Sequence, residues 1–362
     1  LKVAQVQVSQ CMLPTPNGGK LRRLRVVALQ RTCDGQPCAD VIGDALKRLI
    51  WSFLQPAVAA YERRATTIAG GQGQGRRPDQ LSSPCGLALA PDGALLVADT
   101  CNNRVQRFAP GSSEGAPVAG AGARGHRLRS PQAVAVSPDG RLLVADTDAH
   151  RVLSLALGSS DAAAGVVAGG HGAGERADQL SGPIAVAVAG DGALLVAESR
   201  NSRVQRFAPG QVVGTVVAGV GGVGAGPDQL EGPCGLALAA DGALFVADTH
   251  NHRVQRIAQE STLGTTVAGG RGPGSSQDQL DHPWSVAVRP DGALLVADSE
   301  NHRVQCFEPR SLVGATVVGG RGRGPAADQL DCPGGLLSAP DGALLVADIG
   351  NDRVQRFSPL FA

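Results

Sequence analysis

Read as hydrophobic and polar positions, the chain beyond residue 65 repeats one pattern. A proline leads into a short apolar run such as Cys234-Gly235-Leu236-Ala237-Leu238. A polar Asp-Gly pair follows, then a continuously apolar run such as Ala243–Ala247. Next come an alternating segment, Arg253–Ile257, and a fourth run, Thr265–Ala268, that stops at Gly269-Gly270. Each run is too short for a helix and is bounded by turn residues, so each predicts a strand. The Asp-Gly pair supplies the positive φ of a tight hairpin turn. The second run is apolar at every position, which implies burial on both faces.

The Asp-Gly pairs fall at Asp92, Asp139, Asp191, Asp241, Asp291 and Asp341, at spacings of 47, 52, 50, 50 and 50 residues. Four-stranded units at such a period predict either a β-propeller or a linear solenoid. Strand phase separates the two. The sixth unit reaches only its third strand, Arg353–Phe357, whereas Thr66-Thr67-Ile68-Ala69-Gly70 precedes the first unit and matches the fourth strand of the others. Pairing of these two segments closes a ring and removes the open edges. The expected fold is therefore all-β: a six-bladed propeller over residues 65–362, closed by an N-terminal strand pairing with the C-terminal blade, plus a small N-terminal α/β extension over residues 1–64.

The segments Val246–Gln255 and Val296–Gln305, Val-Ala-Asp-x-x-Asn-x-Arg-Val-Gln, resemble the NHL repeat, including Asn-His-Arg at Asn251–Arg253 and Asn301–Arg303. The resemblance runs through about residues 65–362. It implies a six-bladed propeller of the kind used mostly as a platform for proteins or RNA. Some NHL proteins are ubiquitin ligases, which implies the alternative of a substrate-recognition part whose catalytic zinc-binding domain is absent from this chain.

Residues 1–64 share nothing with the repeat. Leu1–Ser9 and Leu21–Leu29 read as strands with Pro14–Lys20 as a loop between them. Residues 39–55 read as one amphipathic helix with Ile42, Ala45, Leu46, Leu49, Ile50 and Phe53 on one stripe. Charge is divided unevenly: residues 1–64 hold 10 Lys/Arg and 4 Asp/Glu, a net +6, and residues 65–362 hold 23 and 28, a net −5. A slightly acidic propeller argues against a broad nucleic-acid surface. The eight cysteines show no regular pairing, which fits reduced thiols and a cytoplasmic location. Cys33 and Cys38 have no partner pair for zinc. No apolar run is long enough to span a membrane.

The recurring acid and guanidinium, Asp99 with Arg104, Asp248 with Arg253, Asp298 with Arg303 and Asp348 with Arg353, stand five residues apart around one loop. Recurrence in every unit points to a structural network holding that loop, not to a catalytic centre. His252 and His302 belong to the same repeat and are read as structural, so no metal and no cofactor are expected. Gly-rich loops such as Gly219–Gly226 lack the following helix that a phosphate cradle needs.

The residue after each unit's proline should face a central channel: Cys85, Gln132, Ile184, Cys234, Trp284 and Gly334. That ring lacks the acids or histidines of the metal-dependent lyases and hydrolases that share this shape. Arginines gather instead in the loops between units. With Trp284 as an aromatic anchor, Arg76, Arg77, Arg124, His126, Arg127, Arg129, Arg321 and Arg323 form the candidate binding face. The expected function is a non-catalytic, monomeric binding scaffold for a protein or acidic peptide. Three alternatives remain open: single-stranded RNA binding on the same face, which the scarcity of aromatics disfavours, a metal-dependent lyase or hydrolase, and the ligase subunit named above.

Overall fold

The computed structural model describes residues 6–13, 22–29, 32–33, 36–37, 58–120, 127–157 and 164–361. The chain divides into two compact units, 1–56 and 57–362. In the first, Val6–Leu13 pairs antiparallel with Arg22–Leu29, in a register running from Val6↔Leu29 to Leu13↔Arg22. Thr32–Cys33 pairs with Gln36–Pro37. The helix expected over residues 39–55 lies outside the described residues.

The second unit is a six-bladed propeller of four-stranded antiparallel sheets. Blade four is representative, with strands Pro233–Leu238, Leu244–Asp248, Arg253–Ile257 and Gly264–Gly269. The Asp-Gly turn between the first two has Gly242 at φ +79°, a left-handed conformation that favours glycine. Asp241 closes the turn by accepting the Ala243 N–H at 3.0 Å. The second strand is buried at every residue in all six blades, apart from Arg141 at the start of blade two's. Its side chains pack against the neighbouring blade on each face. Phe245 and Ala247 of blade four, for example, share a core with Leu294 and Val296 of blade five. The continuous apolar pattern of these runs follows from that two-sided burial.

The first strands stand side by side around the axis, those of blades six and one included. Just after its proline each inner strand slips register; in blade four the shift lies between Pro233 and Gly235. This bulge takes the intervening residue out of the ladder. Inner strands approach so closely that a Cβ on Gly235 would sit 2.7 Å from the Ser285 Cα, and one on Gly335 would sit 2.2 Å from the Cys85 carbonyl oxygen.

Blade six is assembled from two distant parts of the chain. Its inner three strands are Pro333–Ser338, Leu344–Asp348 and Arg353–Phe357, and its outer strand is Thr66–Gly70. The register runs Arg353↔Gly70, Val354↔Ala69, Gln355↔Thr67. A second clasp lies beside it, where Pro359–Phe361 pairs with Val58–Tyr61 and the Glu62 N–H donates to the Ser358 carbonyl at 2.8 Å. Tyr61 is buried there, and that burial pushes its hydroxyl up to about 12.

Candidate functional site

The loops between second and third strands, and those joining one blade's fourth strand to the next blade's first, meet on one face of the propeller. After each second strand the chain makes a short turn, and the residue before the repeat arginine takes a left-handed conformation. These residues are Asn103, His150, Ser202, His252, His302 and Asp352, with φ between +50° and +55°. Under each turn lies an acid–guanidinium pair. Arg104 Nε donates to Asp99 at 2.6 Å, and Arg253, Arg303 and Arg353 donate to Asp248, Asp298 and Asp348 at 2.7 Å. All four carboxylates have no solvent exposure. In blade four the remaining Arg253 nitrogens donate to the carbonyls of Ala225, Gly226 and Gln229. Asp248 also accepts from the Glu231 N–H at 2.7 Å and from Asn251 at 2.9 Å. Burial pushes the Asp248 carboxyl up, and these donors only partly offset it. One arginine thus ties a turn to the loop arriving from the preceding blade.

The left-handed residue makes the bond between blades. Its side chain accepts the N–H of the residue preceding the next blade's proline, in all six junctions: Asn103 from Ser130, His150 from Gly182, Ser202 from Gly232, His252 from His282, His302 from Cys332, and Asp352 from Ser83. The last of these crosses the closing seam. An acceptor side chain that tolerates positive φ is needed at this position, and Asn, Asp, His and Ser are what it carries.

On this shared frame one position varies freely. Two residues past the buried acid stand Cys101, Asp148, Arg200, His250, Glu300 and Gly350, all exposed. The frame is common to the blades, so these residues form a ring of differing chemistry on a fixed template, with a gap at Gly350. Superimposing the six copies of the repeat would have exposed this position in the sequence.

The channel mouth opens on the same face. A cavity of about 110 Å³ is lined by Cys85, Gln132, Ile184, Cys234 and Trp284, with Gly335 in place of the expected Gly334. Gly334 instead faces Ile349, whose side chain a Cβ would strike at 2.5 Å. Trp284 is half-buried and packs beside Gly334. Burial pushes the Cys85 and Cys234 thiols up to about 11.

The candidate arginines divide into two groups. Arg77, Arg321 and Arg323 reach Asp79, Asp328 and Asp331 at 3.4, 3.2 and 2.9 Å. Arg176 and Arg271 make comparable pairs with Asp178 and Asp278. Arg76, Arg127 and Arg129 are exposed and have no ion pair among the described residues. Arg124 and His126 lie outside the described residues. Carboxylates within the Asp-Gln-Leu segments, and Asp331 just after one of them, thus neutralise part of the basic arc, a pairing that one-dimensional spacing did not reveal.

Comparison with known proteins gives the same architecture. The NHL repeat family model matches residues 81–108, 128–153, 230–257 and 280–307, which lie in blades one, two, four and five. No curated protein matched the chain. Among solved structures, a protein of unknown function from Bacteroides thetaiotaomicron aligns with a TM-score of 0.63 at 16% identity, over 82% of this chain and 75% of that one. A gluconolactonase from Xanthomonas campestris aligns with a TM-score of 0.58 at 16% identity, over 84% and 98%. An auxiliary nutrient binding protein from Bacteroides thetaiotaomicron aligns with a TM-score of 0.62 at 12% identity, over 81% and 76%. Such identities carry the fold and nothing finer. Among the described residues no helix is long and apolar enough to cross a membrane. The two blades without a family match have the same four strands, an acid–guanidinium pair and the same inter-blade bond, and the chain is a six-bladed β-propeller that carries NHL repeats in four of its blades.

Proposed function

We propose that this propeller is a non-catalytic binding scaffold whose loop face holds a protein or acidic peptide partner. The observation that carries this reading is the template itself. Six turns are fixed by the same acid–guanidinium pairs, and five of them present an exposed side chain, a thiol, two carboxylates, a guanidinium and an imidazole, while the sixth carries Gly350. Rigid frames with variable display suit recognition, because little conformational freedom is lost on binding. Arg76, Arg127 and Arg129 supply guanidinium groups that bind carboxylates in a two-pronged fashion. The pairs made by Arg77 and Arg321 are solvent-facing, are worth about 0–1 kcal/mol each, and exchange readily for a partner's acids. Thiols and apolar groups line the channel cavity, together with the polar side chains Gln132 and Ser285. The free thiols among the described residues suit a reducing, cytoplasmic setting.

Fluorescence anisotropy with a labelled polyglutamate peptide tests the reading. The wild-type chain should bind with an affinity that falls as salt rises. The triple charge reversal of Arg76, Arg127 and Arg129 to Glu should weaken binding at least tenfold. Equal binding by that variant, or tighter binding of a labelled oligouridine than of the peptide, would overturn it.

A further inference from the structure

At the junction of blades four and five, four neighbouring positions carry an unusual set. His250 and His252 come from the blade-four turn, and Asp281 and His282 precede the blade-five proline. The Asp281 Oδ1 atom lies 2.8 Å from His282 Nδ1 and 3.3 Å from His252 Nδ1. All three donor atoms lie within 4.8 Å of one another. The His252 and His282 rings stand edge to face with centroids 4.6 Å apart, and the His250 ring is 6.0 Å from that of His282. We infer that His252, Asp281 and His282 form a zinc-binding site that bridges blades four and five, with its fourth position open to water beside His250.

The distances suit the ion. Zinc bonds of about 2.0–2.2 Å in tetrahedral arrangement place neighbouring donor atoms roughly 3.3–3.5 Å apart. The Asp281–His252 separation of 3.3 Å already has that value, and the Asp281–His282 separation of 2.8 Å has to open by about half an ångström, which a rotation of the exposed His282 ring can supply. Two imidazoles and one carboxylate suit a transition metal such as zinc, whereas calcium and magnesium take oxygen ligands. Both histidines are held in left-handed backbone conformations, at φ +51° and +48°, by turns that recur elsewhere in the ring. The site is reachable, since the side chains of His252, Asp281 and His282 are 16%, 28% and 44% exposed.

Two other junctions serve as internal controls. The four equivalent positions read Cys101, Asn103, Arg129 and Ser130 between blades one and two, which offers no comparable donor set. Between blades five and six they read Glu300, His302, Asp331 and Cys332. There His302, Asp331 and Cys332 also bring donor atoms within 4.8 Å of one another, but Arg323 sits 2.9 Å from Asp331 and occupies the carboxylate that a metal would need. The corresponding loop position before blade five is Pro273, so no guanidinium competes for Asp281. In the empty state His252 Nδ1 accepts the His282 N–H at 3.2 Å, and metal binding exchanges that hydrogen bond for a coordinate bond. The site escaped the linear reading because its ligands lie about 30 residues apart, and His252 there looked like one more copy of the repeat.

The test is titration of the full chain with Zn²⁺ alone, by calorimetry and by competition with a chromogenic chelator. Variants are His252→Asn and His282→Ser, which install residues found at these positions in other blades and keep the inter-blade hydrogen bond. Wild type should bind one more equivalent than either variant, or bind it at least tenfold tighter, and only wild type should gain thermal stability from zinc at this site. Asp281→Asn should behave as the histidine variants do. Variants that match wild type in melting without zinc, yet bind it with unchanged stoichiometry and affinity, would overturn the inference. So would a wild-type chain that binds no zinc. Neither outcome bears on peptide binding by the arginine face.

Discussion

Replacing Arg253 by alanine tests the claim that the acid–guanidinium pairs hold the loop face. The side chain makes four hydrogen bonds, at 2.7 Å to Asp248, 2.7 Å to Ala225, 3.1 Å to Gly226 and 3.2 Å to Gln229. It is 9% exposed and its acid is fully buried. Truncation leaves the Asp248 charge in the interior with only Asn251 and the Glu231 N–H as donors. Removing one partner of a buried pair costs about 3–5 kcal/mol, most of it from the stranded charge. Blade two offers the matched control. There Arg151 is 27% exposed, bonds Asp146 and one carbonyl among the described residues, and has Ala149 where the others carry Asn. Water reaches the Arg151 guanidinium and can enter beside the buried Asp146 carboxylate once it is removed, so Arg151→Ala should cost roughly 1–3 kcal/mol. Urea unfolding with unchanged slope would report both losses as midpoint shifts. Arg253→Lys should recover less than half, because an ammonium cannot span the carboxylate and the three carbonyls together. A loss under about 1 kcal/mol for Arg253→Ala, or an Arg151→Ala loss as large as the Arg253→Ala loss, would refute the reasoning.

Other outcomes follow from the same structure. Ala69→Asp puts a carboxylate into the closing strand, opposite Val354, at a position 1% exposed; it should release Thr66–Gly70 and make the chain cleavable by limited proteolysis just before Gly70, and resistance equal to wild type would count against the closure. Cys101 is exposed, whereas burial holds Cys85 and Cys234 at about 11, so peptide mapping after brief alkylation at pH 7.5 should find Cys101 modified and the other two only in denaturant. The Ala243 N–H and Arg256 hold the Asp241 carboxyl below its ordinary value. A depressed acid adds stability above its unfolded value of about 3.9 and loses it as pH falls through the folded value, so the stability gap between wild type and Asp241→Asn should close below about pH 4. A gap that stays constant from pH 7 to pH 3 would show that the turn carboxylate has no such role.

The ring was legible because its cause is local and repeated. A run that is apolar at every residue, such as Ala243–Ala247, has to be covered on both faces, and the phase offset of Thr66–Gly70 leaves only one pairing for it. The channel ring was legible for the same reason, since the bulge after each proline directs one residue inward. Gly334 is the exception, because Ile349 occupies the space beside it. The loop face was less legible. Whether an arginine there is free or neutralised depends on a neighbour's position in space: Arg321 and Arg323 meet Asp328 and Asp331 across loops that the sequence shows only as glycine-rich. The second clasp, Pro359–Phe361 on Val58–Tyr61, has no counterpart in the repeat and so carried no periodic signal.

The composite sixth blade also bears on how the ring is made during synthesis. Blades one to five can stack as they emerge, but the segment Thr66–Gly70 waits for a partner made nearly 300 residues later. Until then the flank of blade one that ends as Leu81, Leu87 and Val97 against Leu345 and Ala347 has nothing to cover it. A ribosome stalled within the sixth repeat would therefore hold an unsealed, sticky arc, which is the stage at which a chaperone would matter most.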